Sequence, residues 1–203
     1  MDTTPYVITI GREFGSGGHQ IGQLLAERLG IAFFDRELIE EASRRSGMSA
    51  DFLARADEKA PSLLDYALHG SFGNDNVLSS GNFYVLQANV IKSKAHEQSC
   101  VIVGRSADYI LRDHPRIVNL FIHAPKAFRC RNVAERTGLS EADALALIER
   151  QDKQRSKFYN FYSDKVWGRS SSYHLSVDSS VLGLERTVDH LIPFIQAVIA
   201  DKQ

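Results

Sequence analysis

Apolar residues in this chain gather into short, nearly unbroken runs at 6–10 (YVITI), 32–34 (AFF), 100–103 (CVIV), 118–123 (VNLFIH) and 174–177 (HLSV). Runs that do not alternate with polar residues suit strands covered on both faces of a parallel sheet. Between the runs the spacing changes to the helical period. Residues 19–29 put Ile21, Leu24, Leu25 and Leu29 on one face and stop at Gly30, a favoured left-handed cap. Residues 36–45 group Leu38, Ile39 and Ala42 and end near Gly47. Longer helical patterns cover 83–96, 125–136 (opening on Pro125, suited to a first turn) and 184–199. Ser140 with Asp143 forms an [ST]-x-x-[DE] start for a helix reaching about Tyr162. Strand alternating with helix predicts an α/β fold with helices on both sheet faces and ligands at the strand carboxyl ends. The stretch 47–82 is less regular, with Pro61 and several glycine and serine clusters. It reads as a flap over the site or as an irregular connection.

Composition narrows the class. At 203 residues the chain has room for one well-buried domain, 1–203. A formal net charge of −1 lacks the basic excess of a nucleic-acid or membrane-surface binder. The first residues carry no basic segment of a signal peptide, and no apolar run approaches the roughly 20 residues that span a bilayer. A cytoplasmic protein is expected. Cys100 and Cys130 form no C-x-x-C pair and the histidines no H-x-x-x-H spacing, which excludes the common zinc and disulfide frameworks.

Chemistry concentrates after the first strand, in GREFGSGGHQ. A glycine-dense turn between a strand and a helix offers free backbone N–H groups and the positive end of a helix dipole, which suits a phosphate. Gly15, Ser16, Gly17, Gly18 and His19 are the expected cradle. A G-x-x-x-x-G-K-[ST] loop would place lysine and a hydroxyl after Gly17, where Gly18 and His19 stand. The dinucleotide fingerprint fails at Gln20 and the hydrolase elbow fails at Phe14. The missing cation must come from elsewhere. Arg12 and His19 flank the glycines and Arg105 follows the third apolar run. An arginine–phosphate hydrogen bond contributes about 1.5–3 kcal/mol, enough to replace the lysine. Arg12 could instead form a structural salt bridge with Glu13 or another carboxylate. Asp35, in FFDR, is a candidate base or hydroxyl acceptor, or a helix N-cap. Arg129, Arg131 and Arg136 fall on one helical stretch, and Arg150, Asp152 and Arg155 on the next, with 152 and 155 on one face. Together, 129–165 reads as a basic lid or as solvated helix surface. The run Phe158–Tyr162 (FYNFY) suits packing on the sheet or a homodimer contact.

The glycine loop, FFDREL, VIVGR, FIHAP with R-x-R, ERQDKQR and YHLSVDSSVLGLE, in that order, resemble the cytidylate kinase-like family across nearly the whole chain. The resemblance implies a doubly wound parallel five-stranded sheet of the P-loop, nucleoside monophosphate kinase type with a helical lid. It also implies ATP, Mg²⁺ and transfer of the γ-phosphoryl group to a small-molecule acceptor, with a nucleoside monophosphate first in line. On that reading Gly15 to His19 hold the donor phosphates, and Arg12, Asp35 and Arg131 serve catalysis. Arg36, Arg105, Arg136, Asp152 and Arg155 meet the acceptor, and no side chain is assigned to the metal. The absent lysine and Ser/Thr remove a phosphate contact and a magnesium ligand, and no cytosine-recognition insert is evident. Two alternatives stay open: a non-catalytic nucleotide-binding module, and a kinase of a non-nucleotide small molecule.

Overall fold

The computed structural model describes residues 4–35, 38, 41 and 80–201. Five strands, β1 (Val7–Arg12), β2 (Ala32–Phe34), β3 (Cys100–Val103), β4 (Ile117–His123) and β5 (Leu175–Asp178), form one sheet in the order β2-β3-β1-β4-β5. Every pairing is parallel. The central strand β1 runs beside β3 on one side and β4 on the other, so its carboxyl end opens where the winding of the chain changes direction. Open α/β sheets bind ligands at such a point.

The helices are α1 (Gly18–Leu29), α2 (Ser80–Glu97), α3 (Ala107–Ile110), α4 (Lys126–Thr137), α5 (Glu141–Tyr162) and α6 (Ser179–Ala200). One sheet face buries Ile8, Ile10, Val101, Val103, Leu120 and Ile122 against Ile21 and Leu25 of α1 and Val188, Leu191 and Ile195 of α6. The opposite face buries Val7, Cys100 and Ile102 against Val90 and Ile91 of α2 and Ala107 of α3. Each Val, Leu or Ile among them contributes roughly 1.5–3 kcal/mol when fully buried. This two-sided demand explains why the strands read as continuous apolar runs. A smaller cluster, Val133, Ala144 and Ile148, joins α4 to α5.

The five expected strands and most expected helices occur with small shifts at their ends. Gly30 caps α1 in the left-handed region, its N–H reaching the carbonyls of Ala26 and Glu27. Ser140 caps α5, accepting from the Asp143 N–H. Pro125 is the N-cap of α4, one position ahead of the first turn. In α6, Gly183 (φ 73°) interrupts the helix, so the regular part begins at the expected Leu184. The single turn α3 was not foreseen, because four residues are too few to show a period. The expected 47–82 flap lies outside the described residues except for the start of α2, as does the expected 36–45 helix apart from the helical Leu38 and Glu41. The aromatic run packs within the chain: Tyr162 stacks on Tyr84 with ring centroids 3.9 Å apart, and Phe158 lies 4.9 Å from Tyr162.

Candidate phosphate-binding cleft

The loop after β1 is shaped by bonds that point away from its open side. The Glu13 N–H continues the sheet to the Ile122 carbonyl (3.0 Å), and Gly15 and Gly17 take φ of 84° and 80°. Ser16 is fully buried, and its hydroxyl donates to the carbonyls of Glu13 (2.9 Å) and Ile122 (3.1 Å). That side chain is therefore turned into the protein rather than toward the cleft. The backbone N–H groups of Gly15, Gly17, Gly18, His19 and Gln20 have no partner among the described residues. They fan out at the N-terminus of α1, where the dipole adds positive potential.

A buried arginine pins this loop. Arg129 of α4, 5% exposed, donates from Nε to the Ala124 carbonyl and from Nη1 to the Phe14 carbonyl (3.1 Å). It also pairs with Glu13 (3.2 Å) and with Asp152 Oδ2 (2.6 Å). The other oxygen of Asp152 accepts the Phe14 N–H at 2.7 Å. Both carboxylate oxygens of Asp152, expected at the acceptor, thus hold the loop and Arg129. Glu13 is engaged by Arg129 and by the Ala124 N–H, so the alternative of an Arg12–Glu13 pair does not occur. Sequence reasoning grouped Arg129 with lid arginines. Its spacing of four from the buried Val133 was the sign that it faces inward.

Three guanidinium groups converge beside the loop. Arg12 reaches from the end of β1 to the end of β3, so closely that a Cβ on Gly104 would overlap its Nη1. Burial pushes the Arg12 guanidinium down from its ordinary pKa, opposed by Asp35 and Asp152. Arg155 of α5 donates to the Arg12 carbonyl (3.1 Å). Burial and then Arg12 push it down as well, with Asp152 and Asp35 pulling up and Arg105 adding to the repulsion. Arginine does not lose its proton in proteins; these shifts express the cost of crowding cations in a site that an anion would relieve. Arg105, its side chain 10% exposed, lies 3.9 Å from Asp35, whose other oxygen is 3.0 Å from His19 Nδ1. The backbone that presents Arg105 is unusual. Gly104, Arg105 and Ser106 all have positive φ (78°, 64° and 51°). Ser106 is 5% exposed, lines the cleft, and its Oγ has no hydrogen-bond partner among the described residues.

The resulting cleft, about 1460 Å³, is lined by the glycine loop, Arg12, Asp35, Arg105, Arg136 and Arg155, and farther along by Phe158, Tyr159, Trp167 and Tyr173. At that far end the buried Asp108 accepts from the Tyr159 hydroxyl at 2.6 Å. Burial raises the Asp108 carboxyl, opposed by the Tyr159 bond and by Lys165. Of the expected site residues, Arg131 is exposed on α4 and is not brought to the cleft, because it lies two positions from Arg129 on another side of the helix. Arg36 lies outside the described residues. No group of three or more His, Cys, Asp or Glu side chains suited to a metal occurs among the described residues.

A cytidylate kinase from Pyrococcus horikoshii is 24% identical over 202 residues, covering 95% of this chain and 93% of its own. The crystal structure of an uncharacterized protein from Eubacterium ventriosum matches with a TM-score of 0.72 at 30% identity, over 94% of this chain and 98% of that one. A gluconokinase from Sinorhizobium meliloti shares the fold, with a TM-score of 0.57 at 15% identity over 98% of this chain and 95% of its own. The family model described as the cytidylate kinase-like family matches residues 7–181, and the chain belongs to that family.

Proposed function

We propose that the protein is an ATP-dependent phosphotransferase that moves the γ-phosphoryl group of ATP to a small acceptor already bearing a phosphate, a nucleoside monophosphate being the leading candidate. The observation that carries this reading is the set of N–H groups of Gly15, Gly17, Gly18, His19 and Gln20, unpaired among the described residues. Oriented donors of this kind bind a triphosphate without rearrangement. Arg12 beside the loop supplies the charge that lysine gives in other P-loops, while Arg105 and Arg155 supply more cation than the donor alone requires. That surplus supports an acceptor with its own phosphate.

The residues fit both cofactors. A triphosphate suits the amide row and Arg12. Mg²⁺ is usually held by phosphate oxygens and water with one or two carboxylates, and Asp35, 14% exposed and lining the cleft, is the carboxylate that would hold it. Mg·ATP, when bound, supplies the transferable phosphoryl group and neutralises its charge. The chain's own part is positional. The loop fixes the donor, Arg12 spans the gap from the loop to the end of β3, Arg105 orients the acceptor, and Arg155, bonded to the Arg12 carbonyl beside the loop, serves the phosphates of both. Asp35, steadied by His19, accepts a hydrogen bond from an acceptor hydroxyl.

A second reading, a nucleotide-binding module without turnover, is favoured by the commitment of the Ser16 hydroxyl to two carbonyls. Incubation with Mg·ATP and a panel of nucleoside monophosphates, alongside gluconate as a non-nucleotide acceptor, separates them. Turnover with a monophosphate supports the proposal. Tight ATP binding by calorimetry with no magnesium dependence and no turnover supports the module.

A further inference from the structure

Two of the cleft's arginines are held by a benzene ring rather than by carboxylates. The guanidinium carbons of Arg136, from the last turn of α4, and Arg155, from the middle of α5, lie over the Phe14 ring at 5.5 and 5.3 Å from its centroid. Neither arginine makes an ion pair among the described residues. Phe14 is itself fixed in place, with its N–H on Asp152 and its carbonyl on Arg129, and its ring rests against the Val133, Ala144 and Ile148 cluster. The difference in partner matters. A carboxylate occupies the N–H edge of a guanidinium, whereas a ring occupies its plane and leaves the in-plane donors for another ligand. Cation–π contact also preserves the positive charge that a salt bridge would neutralise.

We infer that Phe14 is a positioning residue that stores Arg136 and Arg155 beside the glycine loop, Arg155 donating one N–H to the Arg12 carbonyl and both keeping further donors for phosphate oxygens. The glycine loop in this way carries its own device for gathering cations from two helices, in addition to Arg12. This rests on the loop being the donor-phosphate site.

The test measures dissociation constants for ATP and for inorganic tripolyphosphate by calorimetry, with thermal melts as a folding control. Phe14→Leu keeps an apolar side chain but removes the π-face. It should weaken both ligands about tenfold, whereas Phe14→Trp should stay within about twofold of the parent. In an Arg136→Gln background, a change at an exposed position, the loss from Phe14→Leu should shrink to about threefold or less, since one of the two stored cations is already gone. Phe14→Met replaces Leu if the latter does not fold. An apolar variant that binds both ligands as tightly as the parent, or a loss that Trp fails to rescue, would overturn the storage role and leave the donor site standing. A parent protein that binds neither ligand would instead remove the donor-site reading, and this inference with it.

Discussion

A Cβ on Gly18 would lie 2.5 Å from the Cβ of Arg12 and 3.1 Å from its Cγ. Gly18 is the position directly after Gly17, where a G-x-x-x-x-G-K loop carries its lysine. The stem of Arg12 therefore fills the volume that a lysine stem would occupy, and the two positions are sterically exclusive. The absence of the lysine and the presence of Arg12 are one structural fact.

Exclusion of this kind predicts non-additive mutants. Arg12→Ala should weaken ATP binding by about 1.5–3 kcal/mol, the value of a lost charge-assisted hydrogen bond. Gly18→Ala, which adds a single methyl group, should weaken it by a comparable amount because it displaces the arginine. The double variant should be no worse than Arg12→Ala alone. Calorimetry on the three proteins checks this, and strictly additive losses would show that Gly18 and Arg12 act independently.

Asp152 ties α5 to both the Phe14 N–H and Arg129, and Arg129 is 5% exposed. Removing one member of a buried pair leaves the other charge poorly compensated, at about 3–5 kcal/mol. Glu13 still pairs with Arg129, so Asp152→Ala should destabilise by about 3 kcal/mol, at the low end. For a chain of this size that corresponds to a melting temperature roughly 6–12 °C lower. A variant that melts with the parent but loses acceptor binding would instead assign Asp152 directly to the ligand.

Asp108 gives a pH signature. Its carboxyl is raised above its ordinary value of 3.8, mainly by burial. A carboxyl that holds its proton more tightly when folded favours the native state below the unfolded pKa, and this advantage disappears as pH rises through the folded value. Asp108→Asn keeps an acceptor for the Tyr159 hydroxyl and removes the titration. The variant should therefore gain stability relative to the parent at pH 7, and the gap should narrow as the pH falls toward 3.8 and below. Parallel melting curves at both pH values would show that Asp108 does not carry this linkage.

The sheet was legible because burial on two faces leaves a direct trace in composition: the runs CVIV and VNLFIH coincide with β3 and β4 within a residue. Caps were legible for the same local reason at Gly30 and Ser140. Side-chain direction in the loop was not. Nothing in GREFGSGG shows that Ser16 turns inward to two carbonyls while its neighbours keep their N–H groups open, because that choice is made by β4 and the chain's fold around it. The arginines divide in the same way. Arg155 lines the cleft and Arg129 lies beneath it, although both sit in basic helices, and only the packing of Val133 and Ile148 separates their roles.

Ser106 offers a further test. Its Oγ is buried without a partner among the described residues and its φ is 51°. A buried hydroxyl left unbonded forfeits about 1–3 kcal/mol relative to a bonded one. Ser106→Ala should leave the melting temperature unchanged or raise it, while altering the KM for the acceptor and sparing that for ATP. A fall in stability would mean that the hydroxyl is already satisfied in solution.

The grip of Arg129 and Asp152 on the loop bears on how the cleft can close. Both residues belong to the α4–α5 hairpin expected to act as a lid, and each also holds backbone atoms of Phe14. A swing of that hairpin as a rigid arm would tear apart the glycine loop it holds. Closure over the cleft must then come from bending at the tip, around Gly138, with the root of the hairpin acting as foundation rather than as door.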